Sequence, residues 1–264
     1  MSMPTIAAKY WTGRIALGYG IGYFSGISGD NQPHRHHAHQ LSFPQKSTDV
    51  VRISAAGQTQ EYHGVYIAAN TEHQLLAGQY CSIYIDQTHF LADLINNYLA
   101  PTTNITELTA ELIHLLRHYF IKQHTILHAF EQLIIFFNQH IATPVISSRQ
   151  QHLRHYLKNN IHADLSVQDM AQTLSLSTSR FSHWFSDAYG ISYRSYRKWL
   201  RLIQTLQSVD QNLKLTDIAH QGHFSDQAHF SRTCKQMFGI QPSLLRFISE
   251  IEPLDLLLPH PSFI

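Results

Sequence analysis

The sequence predicts an α+β fold in which a strand-rich first part is followed by helices and then by an all-α segment. Short β-branched or aromatic runs separated by turn residues fill roughly the first 86 residues. From about residue 89 the apolar residues recur at helical spacing instead. Residues 171–246 then carry one helical pattern twice, with alanines 48 positions apart and glycines 49 apart, which predicts an internal repeat.

The composition is that of a globular protein. The chain has 264 residues, of which 44% are hydrophobic and 14% charged, enough for one or two domains with their own cores. No apolar run reaches about 18 residues, and the N-terminal residues lack the basic start and continuous apolar stretch of a secretion signal. Two cysteines are too few for a disulfide framework or a thiolate zinc site. We therefore expect a cytoplasmic, bacterial-type protein without a membrane span.

The first part predicts several short strands. Glycine punctuates an alternating run over residues 15–24, and β-branched or aromatic residues dominate residues 49–54, 61–69 and 79–86. Several short strands at such spacing favour a sandwich or a barrel.

Three amphipathic helices are expected between about residues 89 and 141, since apolar side chains recur there every three or four positions. They can complete the core of the first domain, form a dimer surface, or do both. Ser147 or Ser148 is suited to cap the next helix. We expect a first domain over residues 1–146, including this helical extension, and a second over 147–264.

The near-neutral overall charge of +1 conceals an uneven distribution. Residues 1–148 hold 7 Lys and Arg against 9 Asp and Glu, whereas residues 149–248 hold 12 against 6. The positive charge therefore lies on the repeated segment, where a polyanion would require it.

The first repeat unit predicts a helix-turn-helix. A short helix over residues 167–174 follows the cap Ser166, and Ser177 caps a second helix that Gly190 ends in the left-handed conformation. This second helix is expected to bury Phe181, Trp184 or Phe185, and Ala188. Its exposed face carries short polar side chains, which are typical of a helix that reads the major groove of DNA. These residues are Ser179, Ser182 and His183.

The second unit repeats the pattern, with a turn over residues 221–224 and a helix that starts at Ser225. Ala228 in part, Phe230, Cys234 and Phe238 form its expected buried side. Its exposed candidates for DNA contact are Gln227, His229, Arg232 and Lys235. Gln227 and Arg232 are the preferred base readers, because an amide can pair with adenine and a guanidinium with guanine. Thr233, Lys235 and Arg246 are expected to touch phosphate or to pack.

A long helix over residues 193–207 connects the two units and presents Tyr196, Leu200, Ile203 and Leu206 on one face. One turn of DNA is about 34 Å, so two reading helices on one rigid connector can enter adjacent major grooves. The repeat thus predicts a chain that holds double-stranded DNA at two places.

The stretch from Leu165 to Arg246 resembles the AraC/XylS family of transcription regulators. The resemblance rests on Ile218-Ala219, on the run from Phe224 to Arg232, on Phe238-Gly239-Ile240-Gln241-Pro242 and on Arg246. The resemblance implies a domain of seven helices. It also implies base contacts at the exposed positions named above on the two reading helices, apart from Lys235. Promoter DNA and RNA polymerase are the implied partners, and activation is implied rather than repression.

The sequence departs from the family pattern in three ways. His223 stands where the family usually has glycine, with Gly222 one position early, so either His223 adopts a strained backbone or the turn is shifted. Cys234 replaces an aromatic residue near the end of the second reading helix. Ser182-His183 replaces a longer polar residue and a basic one, which favours a weaker first reader or a different target sequence.

Twenty histidines are present, twelve of them in residues 1–148, with the densest group at residues 34–39. Together with His73 this group resembles the cupin-type sensor domain found at the front of this regulator family, over about residues 12–86. The resemblance implies an N-terminal cupin-like β-barrel that binds a small-molecule effector or forms a homodimer. The candidate effector-binding residues are His34, His36, Gln40 and His73, and no resident cofactor is expected.

A metal site is the alternative interpretation of the same residues. Metal-binding cupins carry His-x-His followed by a carboxylate and a later histidine, and Gln40 here occupies the carboxylate position. Three neutral imidazoles can hold a divalent transition metal, and an alternating strand would put His34 and His36 on one face. A metal-free effector pocket or a surface cluster would use the same residues. An enzyme is not expected, since no second carboxylate or proton-transfer pair is nearby and the DNA-binding half would have no role.

Overall fold

The computed structural model describes residues 11–29, 31–121, 125–142, 144–160, 165–207 and 214–254, with the backbone alone for 245–254. Within these ranges strands occupy the chain up to Asp86 and helices dominate from Phe90 on, as predicted, but two further strands follow at Ile105–Glu107 and Ile248–Leu254. No helix of the described ranges has the length and apolar character needed to cross a membrane.

The strands form two sheets. They are β1 (Thr12–Gly18), β2 (Ile21–Ser28), β3 (Ala38–Pro44), β4 (Val51–Ala55), β5 (Gln58–Tyr62), β6 (Val65–Ile67), β7 (Gln74–Leu75), β8 (Gly78–Asp86), β9 (Ile105–Glu107) and β10 (Ile248–Leu254). The larger sheet has the order β10-β1-β2-β8-β3-β6-β9, and the smaller has β5-β4-β7. Where the strand pattern favoured a sandwich or a barrel, the structure has a large sheet with a small one against it.

The glycine-punctuated run at residues 15–24 contains a hairpin. Gly20 has φ 72°, which closes the turn between β1 and β2, and Gly18 pairs with Ile21. A Cβ on Gly20 would lie 2.9 Å from the side chain of His89, so both the turn and the packing require glycine.

Three helices cover one face of the large sheet: α1 (Phe90–Leu99), α2 (Ala110–Ile121) and α3 (Ile126–His140). Leu41, Phe43 and Ile83 of the sheet share one buried cluster with Leu112 and Phe130 of the helices. Because side chains alternate between the two faces of a strand, the residues next to these in β3 and β8 lie on the opposite face of the sheet. The helical extension thus contributes to the core of the first domain, one of its two expected roles.

The opposite face of the large sheet has two neighbours. Near β6 it is covered by the small sheet, where Val51 and Ile53 pack with Val65 and Tyr80. Near β1 and β2 it is covered by the all-α segment, because Trp11 and Phe24 belong to the same buried cluster as that segment. The polar residues Gln40 and Ser42 of β3 lie buried on this opposite face, between the two neighbours.

The all-α segment comprises α4 (Ser148–Asn159), α5 (Val167–Thr173), α6 (Thr178–Tyr189), α7 (Tyr193–Gln207), α8 (Leu215–Gln221), α9 (Gln227–Phe238) and a 3-10 turn at Pro242–Phe247. Ser147, rather than Ser148, caps α4 with a reciprocal capping box to Gln150. The segment has its own core, in which Phe181, Phe185 and Phe230 are fully buried.

The last described strand, β10, returns to the first domain. It pairs in parallel with β1 over Gly13–Gly18, so the stretch after the 3-10 turn becomes an edge strand of the large sheet. The sequence pattern grouped these residues with the DNA-binding segment and assigned them no structure. Residues 255–264 lie outside the described part of the chain.

Candidate DNA-binding surface and interdomain contacts

The first helix-turn-helix consists of α5 and α6, and local polar contacts set its limits. Ser166 and Asp169 form a capping box at the start of α5, and the Ser177 hydroxyl accepts from a backbone N–H at the start of α6. Ser175 in the turn has φ 53°, and Gly190 ends α6 with φ 66°. The predicted start and end of the reading helix are thus confirmed.

The second helix-turn-helix, α8 and α9, has the same turn. His223 has φ 54°, as Ser175 does 48 positions earlier, and the backbone N–H of Phe224 donates to Ala219 O at 2.9 Å, against 2.8 Å in the first unit. Of the two alternatives for this departure from the family pattern, His223 therefore adopts the left-handed backbone and the turn is not shifted.

Close packing against α7 requires the glycine at position 222, one position before the usual glycine of the family. A Cβ on Gly222 would lie 2.0 Å from the hydroxyl oxygen of Thr205 on α7. Only glycine allows α7 and α8 to approach this closely. Cys234 is 2% exposed, which confirms its expected place as a core residue of α9.

On α6 two of the three predicted contact residues are exposed. Ser179 and His183 are open to solvent, whereas Ser182 is half-buried and its hydroxyl donates to Thr178 O at 2.8 Å within the helix. Ala188, predicted to be buried, is exposed, and Tyr189 at the end of the helix is buried instead.

Arg180 is exposed in the first turn of α6 and was missed by the sequence analysis. It is the single arginine within α6, and a cationic side chain in the first turn of the predicted reading helix was the sequence feature that indicated a DNA contact. Its exposure adds a cation to the face that carries Ser179 and His183.

On α9 the residues predicted to contact DNA are accessible. Gln227, Arg232 and Lys235 are exposed, and His229 is half-buried with Nδ1 3.1 Å from the Ser225 hydroxyl. Asp226, not Ser225, caps the helix, because its carboxylate accepts from the backbone N–H of His229.

The expected buried side of α9 is corrected at four positions, two of which are Met237, which is buried, and Phe238, which is only half-buried. Ala228 is exposed, and Thr233 is buried, with its hydroxyl donating to His229 O at 2.9 Å. Of the two roles considered for Thr233, packing is the one that this position permits. The side chain of Arg246 lies outside the described part of the chain.

The connecting helix α7 packs on two sides. Tyr196 and Leu206 are buried as predicted, but Trp199 is buried as well, while Leu200 and Ile203 are half-buried. One face contributes to the core of the all-α segment, and another lies against the large sheet. The sequence prediction, which assumed one buried face, therefore could not describe this helix.

Buried polar bonds join α7 to the end of β8. The Nε1–H of Trp199 donates to the carboxylate of Asp86 at 2.8 Å, and the hydroxyls of Tyr196 and Thr88 are 2.9 Å apart. Burial raises the pKa of Asp86, while bonds from Thr88 and Trp199 act in the opposite direction. A second link, between α4 and α1, is the ion pair of Arg154 with Asp93 at 2.6 Å.

The loop before β3 lies against the C-terminal end of the second reading helix. The backbone N–H of Gln32 donates to Gly239 O at 3.0 Å, and that of Arg35 to Gln236 O at 3.4 Å. A Cβ on Gly239 would lie 2.6 Å from Gln32 O and 2.8 Å from Nδ1 of His34. The histidine-rich loop therefore contacts the DNA-binding segment directly.

His34, His36 and His73 are buried together, and one ring nitrogen of each lies within 4.8 Å of the others. The expectation that His34 and His36 share a strand face is wrong, since β3 begins only at Ala38. The residues converge because the backbones of His34 and His73 form an isolated β-bridge. His39 lies apart and faces the Tyr66 hydroxyl at 2.8 Å.

Each ring of this triad is oriented by a backbone carbonyl. The Nδ1 atoms of His34, His36 and His73 lie 2.9, 2.7 and 3.0 Å from the carbonyl oxygens of residues 32, 38 and 71. A proton on each Nδ1 satisfies these carbonyls and leaves a lone pair on each Nε2.

Gln40 lies between two of these rings, as the sequence predicted. One end of its amide is 2.9 Å from Nε2 of His36 and 3.2 Å from Nε2 of His73, and the other end is 2.7 Å from the Ser42 hydroxyl. In the structure the amide oxygen faces the two rings, and the amide NH2 donates to the Ser42 hydroxyl. With the two ends of the amide exchanged, its NH2 would donate to both Nε2 lone pairs while both rings stay neutral.

Burial keeps the triad uncharged at neutral pH. Burial, and to a lesser extent the neighbouring rings, lower the pKa of His34 to about 4 and those of His36 and His73 to about 3. Neutral imidazole is the form that binds metals.

The comparisons with known proteins concern mainly the repeated segment. The family model described as a helix-turn-helix domain matches residues 170–246. The arabinose operon regulatory protein of Escherichia coli is 30% identical over 105 residues, 39% of this chain and 36% of that protein. The regulator ExsA of Pseudomonas aeruginosa is 24% identical over 125 residues, 44% of this chain and 45% of that one. The matched stretches thus span less than half of each relative.

Solved structures show a similar overall fold. An apo form of ToxT from Vibrio cholerae matches 86% of this chain and 97% of its own with a TM-score of 0.57 and 13% identity. Wild-type ToxT bound to an unsaturated fatty acid matches 93% of this chain and 98% of its own, with a TM-score of 0.52 and 12% identity. At such low identity the likeness concerns the fold alone, a mixed α+β arrangement of an N-terminal β domain and a C-terminal helical one.

The sequence relatives are transcription regulators, and their similarity falls on the segment that folds here as two helix-turn-helix units. Residues 170–246 are therefore a helix-turn-helix domain of the AraC type, with which transcription regulators bind DNA.

Proposed function

We propose that the chain is a sequence-specific transcription regulator that binds promoter DNA through both helix-turn-helix units and responds to a small-molecule effector. The observation that carries this proposal is the pair of exposed polar helix faces, with Ser179 and His183 on α6 and Gln227 and Arg232 on α9. Short polar side chains, amides and guanidinium groups on exposed helices can reach base edges in the major groove.

The remaining parts of the proposal follow from the relatives. Activation in the cytoplasm, with RNA polymerase as a partner at the promoter, is the mode that the family resemblance favours. A fatty acid bound to ToxT supports an effector site in a protein of this fold. A homodimer would place two such chains on one operator.

Selection from random duplex DNA by the full chain tests the DNA-binding function. Two enriched sequence blocks about one helical turn apart are expected. One block alone would mean that one unit does not read bases. Lack of enrichment at every ionic strength from low to physiological salt would contradict the proposal, because phosphate contacts weaken steeply with salt.

Arg232→Ala is expected to weaken binding to the selected site by about 1–3 kcal/mol and to relax preference at one base pair. The guanidinium is exposed on α9, where it can pair with guanine. Affinities for the selected site and for its single-base variants provide the measurement. Lys198→Ala, which removes an exposed cation from α7, is the control for charge alone. An equal loss on all sequences would make Arg232 a phosphate contact.

A second candidate is a metal-responsive regulator that uses His34, His36 and His73. Supporting it are the three buried rings within 4.8 Å and the backbone carbonyls that orient each Nδ1. Metal-binding histidines commonly donate the other ring N–H to such a carbonyl. The amide oxygen of Gln40, which faces Nε2 of His36 and His73 in the structure, would then face the metal or move aside.

Titration of the full chain with Zn²⁺ against a chromophoric chelator is expected to give one site per chain. His73→Ala removes one of three ligands and should lower the affinity at least about 10-fold. His63→Ala removes an exposed histidine of the same domain and should have no effect. Equal affinities of the two variants, or no saturable binding by the wild-type chain, would exclude this candidate.

A further inference from the structure

We propose that Arg35 of the first domain binds a DNA phosphate beside the second reading helix, and that Glu72 competes with the DNA for its guanidinium group. This inference rests on the proposed function, because it gives the first domain a direct part in DNA binding. The observation that carries it is the position of the loop at residues 31–36, which lies against the C-terminal end of α9.

The loop is fixed to α9 by backbone hydrogen bonds. The last turn of a helix leaves carbonyl groups without partners inside the helix. At the end of α9, Gln236 O accepts from the N–H of Arg35, and Gly239 O accepts from the N–H of Gln32. The carbonyl end of a helix also carries a partial negative charge, which favours a cation nearby. The backbone of Arg35 is therefore held at the end of the reading helix.

The row of exposed cations on α9 ends at this loop. Arg232 and Lys235 are both exposed and are three positions apart, so they lie on one face of the helix. Gly239 follows one turn later, where its N–H donates to Lys235 O, and it is buried against Gln32 of the loop. Arg35 thus adds a cation from the first domain at the point where the cations of α9 stop.

The side chain of Arg35 is accessible to a phosphate. It is 59% exposed, and its Nη2 donates at 3.0 Å to a carboxylate oxygen of Glu72, which is 65% exposed. Ion pairs as exposed as this one contribute little stability, because water and salt screen them. A DNA phosphate offers the guanidinium the same kind of anionic oxygen. Phosphate can therefore replace Glu72 without a large loss.

This contact depends on the arrangement of the two domains. Glu72 precedes His73, whose backbone pairs with that of His34 in the isolated β-bridge, so the bridge keeps Glu72 beside the loop. Arg35 reaches the DNA held by α9 only while the loop lies on that helix. A rearrangement that withdraws the loop removes one phosphate contact, and the affinity for DNA then reports the position of the first domain.

The salt dependence of DNA affinity tests this inference on the full chain, with the selected duplex and an unrelated duplex as probes. Each phosphate contact adds about 0.9 to the slope of log affinity against log salt. Arg35→Ala should lower the slope by about this amount on both duplexes, so that its loss of affinity is about 3-fold larger at 50 mM than at 200 mM salt. The backbone bond from residue 35 to Gln236 stays in place in this variant.

Two control variants accompany this measurement. Arg35→Lys keeps the positive charge and should retain the wild-type slope. Lys46→Ala removes an exposed cation at the far end of β3 and should leave the slope unchanged. A wild-type slope in Arg35→Ala would overturn the inference.

Glu72→Gln tests the competition with DNA, and its effect has the opposite sign. It should strengthen binding at least about 2-fold in the wild-type chain and have no effect in the Arg35→Ala chain, because the guanidinium it releases is then absent. Glu61→Gln removes an exposed carboxylate from β5 and should not strengthen binding. An equal gain from Glu72→Gln in both chains would overturn the competition.

The outcomes separate this inference from the proposed function. A chain that selects DNA, but whose Arg35→Ala variant keeps the wild-type slope, retains the proposed function and loses this inference. A chain that selects no DNA loses both, because the contact forms only on DNA.

Discussion

Lowering the pH from 7 to 5.5 is expected to reduce the free energy of unfolding by about 6 kcal/mol. Burial lowers the pKa values of six histidines, to about 4 for His34 and His39, to about 3 for His36, His73 and His89, and below its ordinary value for His37. In the unfolded chain each returns to about 6.5. A depressed pKa contributes stability above about pH 6.5 that is lost as the pH falls toward the folded value, at about 1 kcal/mol per group by pH 5.5.

A loss of this size is comparable with the whole stability of many domains, about 5–15 kcal/mol. Asp86 has the opposite sign, because its raised pKa gives stability at low pH that is lost as the pH rises through the folded value. One carboxyl group cannot offset six histidines.

Urea unfolding at pH 7, 6 and 5.5 measures the effect. His39→Gln should reduce the pH dependence by up to one proton, since one buried titrating ring is gone. His63→Gln, at an exposed position, should leave it unchanged. Stability that stays constant over this range would show that the buried histidines do not govern it.

Gly239→Ala is expected to destabilise the protein by about 2–4 kcal/mol, more than the equivalent change at Gly190. Both glycines end a reading helix in the left-handed conformation, with φ 70° and 66°. A Cβ on Gly190 meets nothing within 4 Å, whereas one on Gly239 meets Gln32 O at 2.6 Å. Gly190→Ala therefore isolates the backbone penalty of about 1 kcal/mol, and the remainder at Gly239 reports the contact between the domains.

Urea unfolding of both variants gives the two free energies. Gly239→Ala should also speed proteolytic cleavage between the domains, because the bond from Gln32 to Gly239 is lost. Gly190→Ala should not. Equal destabilisation by the two variants would mean that the loop at residues 31–36 does not support the second reading helix.

The elements that the sequence predicted are those specified by neighbouring residues. The bounds of α6 follow from a serine cap and a terminal glycine, Ser177 and Gly190, and its buried side from the spacing of Phe181 and Phe185. The two turns follow from the repeat. The candidate cluster of His34, His36, Gln40 and His73 was also brought together, although by a β-bridge rather than by a strand face.

Contacts between distant residues could not be predicted in this way. The bond from Trp199 to Asp86 joins positions 113 apart, and neither residue has a local signal for it. The pairing of β10 with β1 has the same origin, since strand partners are chosen by the whole fold.

The parallel pairing of β10 with β1 makes the DNA-binding domain a closed loop of chain. It leaves the first domain through residues 141–148 and is anchored to it again at Ile248, directly after the 3-10 turn. A domain attached at both ends has fewer directions of movement than one attached at a single end. Reorientation of the reading helices is thereby restricted as long as β10 stays paired.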